Sequence, residues 1–96
     1  MKIEVFGRNG CALCESTKHK LSHFVEKWGH SAAVELTFVD METEDGLAEG
    51  AFRDVVDIPT TIASADGREV ARWERGVPGS EEVKRALERC GLTQSK

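Results

Sequence analysis

Apolar positions recur along the chain with periods that change from strand-like to helix-like and back. Residues 2–6 are rich in apolar side chains (Ile3, Val5, Phe6) and read as a short strand that stops at Gly7. The loop Arg8-Asn9-Gly10 leads to Cys11. From there to Trp28 the spacing is helical, with Leu21, Phe24, Val25 and Trp28 on one side and Lys18, Lys20, Glu26 and Lys27 on the other. Gly29 supplies the stop. Residues 34–39 alternate as a second strand. Residues 40–45 are acidic and open a weaker helix that runs to about Val56. Gly46 and Gly50 count against it, since a glycine inside a helix costs ~1 kcal/mol relative to alanine. Ile58-Pro59-Thr60-Thr61-Ile62 enters a third strand, and Asp66-Gly67 is a hairpin signal joining it to a fourth over residues 69–73. After a Pro78-Gly79 turn, Ser80 is placed to cap a last helix, and Glu81 and Glu82 suit its positive end. Val83, Ala86, Leu87 and Cys90 share one face of that helix, and Gly91 ends it.

The order is therefore β-α-β-α-β-β-α, an α/β chain with a four-stranded mixed sheet flanked by helices. The first two strands are separated by a helix and should run parallel with a right-handed crossover. The last two form an antiparallel hairpin. Residues 1–92 make one domain, and residues 93–96 read as a frayed tail.

Composition narrows the function. The chain has 96 residues, 40% hydrophobic and 31% charged, with a net charge of −4. Mild acidity excludes a general nucleic-acid binder, which would carry a basic stripe. No apolar run approaches the ~20 residues of a membrane span. The start of the chain lacks the basic and apolar stretches of a signal peptide, so a reducing, cytoplasmic setting is expected. In such a setting three cysteines point to catalysis, metal binding or packing rather than to structural disulfides.

Cys11-Ala12-Leu13-Cys14 follows a strand and opens a helix. A thiolate is the nucleophile in disulfide exchange. The unpaired N–H groups and dipole at a helix N-terminus stabilise negative charge, so Cys11 should ionise below the ordinary thiol range. Arg8 adds a nearby cation. Cys14, about one turn later, can attack a mixed disulfide on Cys11 and release reduced product. Proline makes a cis peptide cheap. At Ile58-Pro59-Thr60 a cis bond beside the dithiol would present the backbone of Ile58 to an extended substrate.

Val5-Phe6-Gly7-Arg8-Asn9-Gly10-Cys11-Ala12-Leu13-Cys14 resembles the first strand and active-site loop of glutaredoxins. Phe38-Val39-Asp40 resembles their second strand, and Ile58-Pro59-Thr60 the cis-proline segment shared by thioredoxins and glutaredoxins. The stretch from Asp66-Gly67 through Gly76 to Leu87 is more similar to thioredoxin. The resemblance implies a thioredoxin-like fold of glutaredoxin size. It also implies a thiol–disulfide oxidoreductase with Cys11 as nucleophile and Cys14 as resolving thiol. Arg8, Ile58, Pro59 and Thr60 would then bind substrate. Such an enzyme reduces protein or glutathione mixed disulfides as a monomer. It needs no bound cofactor and no metal, and takes electrons from glutathione or a flavoprotein reductase. Its partners would be disulfide-containing proteins, glutathione or a thioredoxin-type reductase, with no nucleic acid and no membrane. The chain departs from the family in four places. Ala12-Leu13 stands where glutaredoxins carry Pro-Tyr and thioredoxins Gly-Pro. Gly10 replaces the tryptophan of thioredoxins, and Val5 their buried aspartate. The Gly-Gly and Asp that hold glutathione are replaced by Gly76-Val77-Pro78-Gly79-Ser80-Glu81.

Two other readings of the cysteine pair stay open. One is a carrier or adaptor that binds a metal or an iron–sulfur cluster, although zinc usually takes four ligands and no second Cys-x-x-Cys is present. The other is a thiol switch without turnover. Cys90 reads as a small buried hydrophobe, His19 and His23 as solvent-facing, Trp28 and Trp73 as packing residues, and His30 as a loop residue.

Overall fold

The computed structural model describes residues 1–76 and 78–91, so the expected tail at residues 93–96 lies outside the described residues. The elements are β1 (Lys2–Gly7), α1 (Ala12–Lys27), β2 (Glu35–Asp40), α2 (Glu44–Phe52), β3 (Thr60–Ala65), β4 (Arg68–Glu74) and α3 (Ser80–Arg89), in the expected order. They build one sheet, ordered β2-β1-β3-β4. β1 pairs parallel with β2 and antiparallel with β3, and β3 pairs antiparallel with β4. Asp66 and Gly67 turn the hairpin with φ of 54° and 76°. Two successive positive φ values give the turn a twist that matches the strands it joins.

Side chains alternate between the two sheet faces. One face carries Ile3, Val5, Leu36, Phe38, Ala63 and Trp73. It packs against Leu21, Phe24, Val25 and Trp28 of α1 and its end, and against Val83 and Leu87 of α3. Ile3, Val5, Leu21 and Val83 are wholly buried. Burial of each such side chain contributes roughly 1.5–3 kcal/mol. The rings of Phe24 and Trp28 stack with centroids 5.0 Å apart.

The second face mixes wholly buried Phe6 and Ile62 with polar Glu4, Thr60 and Ser64, and α2 packs on that side. Glu4 of β1 is 4% exposed. Arg53, the residue after α2, reaches it with Nη1 2.7 Å from Oε1, and its Nη2 donates to Ser64 Oγ at 3.1 Å. Arg72 of β4 donates in turn to the carbonyls of Arg53 and Asp54, and to Glu69 Oε1 at 2.9 Å. A guanidinium at the last carbonyls of a helix satisfies acceptors that have no partner within it.

α2 is shorter than the expected 40–56 at both ends. Asp40 completes β2, and its carbonyl accepts from the N–H and hydroxyl of Thr43. Thr43 then caps the helix by accepting from the N–H of Gly46 at 2.9 Å. Gly46 and Gly50 are the contact surface. A Cβ on Gly46 would strike the carbonyl of Asp40, and one on Gly50 would lie 2.7 Å from Met41 Sδ. The lost helix propensity is exchanged for close approach. In α3 the N-cap is Gly79, not Ser80, and Glu82 Oε1 accepts from the N–H of Gly79 at 3.2 Å.

Candidate active site

The cysteines sit where β1 hands over to α1. Gly7 ends the strand, its carbonyl accepting from the N–H of Met41 at 2.7 Å. Gly10 has φ of 82°, a left-handed conformation that turns the chain into the helix. Cys11 is the N-cap of α1. Its sulfur accepts from the N–H of Cys14 at 3.2 Å, and its carbonyl from the N–H of Glu15 at 3.0 Å. Sulfur thus occupies the capping position that a hydroxyl or carboxylate oxygen usually fills. Cys11 is half-buried and Cys14 fully buried, and both are free thiols.

Their acidities are driven apart. Cys11 lies below the ordinary thiol range, held there first by a hydrogen bond from the Cys14 side chain and next by the Cys14 N–H. The Leu13 N–H and the charge of Arg8 add smaller contributions, against some desolvation. Cys14 lies above the ordinary range, first through burial and next because its thiol donates to Cys11. Repulsion from a Cys11 thiolate adds to this, against the Arg8 backbone N–H and charge. Of the two thiols Cys11 therefore gives up its proton first, and Cys14 holds its proton longer.

Cys14 reaches this position because Gly7 has no side chain. A Cβ there would lie 2.7 Å from Cys14 Sγ, 2.9 Å from Cys14 Cβ and 3.3 Å from Phe38 Cε1. All of these lie in packed surroundings that give little. Gly7→Ala should displace the Cys14 sulfur, weaken its hydrogen bond to Cys11 and move the Cys11 pKa up toward the ordinary thiol value. The pH dependence of Cys11 alkylation measures this, and an unchanged profile in a folded variant would exclude the role.

The second segment meets the first at the same end of the sheet. Phe6 pairs with Thr60, so Pro59 follows on beside Gly7. The Ile58–Pro59 bond is cis, as the sequence suggested. Pro59 is buried and Ile58 half-buried. Thr60 is fully buried, and its hydroxyl donates to the carbonyl of Asp57. Its part is to hold the turn, not to meet substrate with its side chain. Arg75 braces the same turn from the far side, its N–H donating to the Pro59 carbonyl at 2.9 Å and its Nε 3.0 Å from Asp57 Oδ2. Arg8 is exposed.

The sequence did not single out Gly7, Asp57 or Arg75. Only Gly7 carried a signal, as the glycine ending a strand just before the dithiol loop. Other residues fall largely as expected. His19 and His23 are exposed, Trp28 is buried, and Trp73 packs against the core. Cys90 is half-buried as the C-cap of α3 rather than a buried core residue, and His30 is buried. No group of three or more potential metal-ligating side chains is gathered among the described residues.

No protein-family model matches the chain, and no curated protein matches it in sequence. Solved structures do match. Thioredoxin 1 from the thermophilic eubacterium Thermosipho africanus superposes with a TM-score of 0.73 at 23% identity, over 94% of this chain and 93% of its own. Fasciola hepatica thioredoxin gives 0.70 at 22%, over 92% and 78%. Arabidopsis thaliana thioredoxin O2, in the oxidized state, gives 0.69 at 16%, over 92% and 72%. At these identities the likeness is one of fold, and the fold is thioredoxin-like.

Proposed function

We propose that this thioredoxin-like domain is a thiol–disulfide oxidoreductase that reduces protein disulfides or glutathione mixed disulfides through Cys11 and Cys14. The observation that supports this reading best is the placement of the pair: Cys11 caps α1, its sulfur accepting from the Cys14 N–H at 3.2 Å, and is the more acidic thiol, while Cys14 lies buried one turn on and is the less acidic.

The Cys11 thiolate attacks one sulfur of a substrate disulfide. A Cys11–substrate S–S bond forms, the substrate bond breaks, and the second substrate sulfur leaves as a thiolate. With Cys11 now neutral, Cys14 loses two of the influences that kept it protonated: the thiolate acceptor and its repulsion. Burial alone remains on that side, and the Arg8 N–H still favours the charged form. Cys14 becomes easier to ionise at the moment its attack is needed. It gives its proton toward the departing thiolate, bonds to Cys11 and frees the first substrate sulfur. The substrate gains two electrons and the dithiol becomes an internal disulfide. Glutathione or a flavoprotein reductase then returns two electrons, in keeping with a reducing, cytoplasmic setting. In this reading the backbone of Ile58 and the guanidinium of Arg8 position the substrate.

Cys14→Ser tests the order of events. The variant should form the mixed disulfide with a protein substrate and stall there, visible as a covalent adduct by mass spectrometry. Reduction of protein disulfides over many turnovers should be lost. Undiminished turnover in Cys14→Ser would rule out Cys14 as the resolving group.

A further inference from the structure

α2 is built inside out. Its inner side is Gly46 and Gly50, seated on Asp40 and Met41. Its outer arc is Leu47, Ala48, Ala51 and Phe52, all exposed, and the chain leaving it adds exposed Val56. Leu47 is 54% exposed, Phe52 83% and Val56 87%, the largest exposures among the big hydrophobic residues of the described part. The seating glycines leave no room to turn this face inward. An ordinary surface helix shows the opposite arrangement, and contiguous apolar surface of this kind marks contact with another molecule.

The segment that carries the patch is charged almost entirely in one sense. Residues 40–57 hold seven of the chain's 17 acidic residues and one of its 13 basic ones. That one, Arg53, is turned inward to Glu4. The segment carries −6 and the rest of the chain +2, so the acidity of the whole protein is concentrated around this helix. Glu42, Glu44, Asp45, Glu49 and Asp54 are all exposed around the apolar residues.

We propose that the outer face of α2 docks a protein partner presenting an apolar ridge flanked by lysine or arginine. Apolar contact at the centre supplies affinity, and complementary charge at the rim supplies orientation and rate. A second copy of the chain would bring like charges together, and an anionic membrane would be repelled. The docking stands independently of the dithiol chemistry, since neither cysteine takes part.

The test uses two synthetic helical peptides of one amphipathic pattern, leucine with lysine and leucine with glutamate. The full chain is titrated with each and followed by amide NMR. The leucine–lysine peptide should bind, with shifts confined to residues 42–57 and affinity falling as salt is raised. Leu47→Ser with Phe52→Ser should weaken it about ten-fold or more. Both positions are exposed, so the variant should keep its fold, which the same spectra verify. Equal binding of the leucine–glutamate peptide, shifts elsewhere, or unchanged affinity in the double variant would overturn the proposal. So would sedimentation of the wild-type chain as a dimer that Phe52→Ser dissociates, because a second copy would then cover the face.

Discussion

Cys11→Ser is expected to reduce disulfide-exchange activity on the order of a thousand-fold or more, because a serine hydroxyl is not ionised at neutral pH and forms no bond to sulfur. The fold should survive, since a serine hydroxyl can accept the Cys14 N–H that the sulfur now accepts at 3.2 Å. Loss of activity in a protein of unchanged melting temperature separates chemistry from stability. The wild-type pH profile carries the same argument. Rate follows the thiolate fraction, so it should rise to a half-maximum below the ordinary cysteine pKa. In Cys14→Ala the leading cause of that depression is removed, and the half-maximum of Cys11 alkylation, which needs no resolving thiol, should move up. The linkage to stability has a definite sign. A depressed Cys11 pKa stabilises the reduced fold above the unfolded thiol pKa, a contribution lost as pH falls through the folded value. The raised Cys14 pKa acts oppositely, disfavouring the fold as pH rises past the unfolded value. Substantial turnover by Cys11→Ser would remove the leading sulfur from the reaction altogether.

The candidate site was legible because it lies in short local patterns. A Cys-x-x-Cys after a strand and an Asp-Gly between strands each act within a few residues, where sequence spacing fixes geometry. α2 shows the limit. Its glycines lowered the helical expectation, since propensity weighs a residue alone, whereas Gly46 and Gly50 answer to Asp40 and Met41 across a packed gap. Thr60 shows another. It belongs to the proline motif, yet a side chain on the strand just after the turn points into the interior, not at a substrate. Capping by Gly79 rather than Ser80 is a shift of one position, the scale on which helix ends are least determined by local preference. Glu4 is the largest omission. A charged residue between Ile3 and Val5 reads as the exposed side of a strand, and only α2 folding over that face converts it into a buried carboxylate.

That carboxylate depends on a residue 49 positions away. The Glu4 side chain is 5% exposed and that of Arg53 20%, with Nη1 to Oε1 at 2.7 Å. Lys2 Nζ, at 3.8 Å from Oε2, is itself 47% exposed and compensates weakly. Arg53→Ala would leave Glu4 under the helix with its main partner gone and would free Ser64 Oγ as well. Removing one member of a buried pair costs up to about 3–5 kcal/mol, and the nearby lysine and partial exposure of Arg53 bring the expected loss to about 2–3 kcal/mol. In a domain of this size that lowers the melting temperature by roughly 10–20 °C. The loss should be smaller when Glu4→Leu is combined with Arg53→Met, because no charge is then stranded and apolar contact replaces the pair. A thermal unfolding series on Glu4→Leu, Arg53→Met and their combination reads the coupling directly. Additive losses would mean that the ion pair does not hold α2 to the sheet. A strong positive coupling would mean that it does. The strand that ends at Gly7, under the Cys14 sulfur, would then be tied through Glu4 to the helix whose outer face is open to a partner.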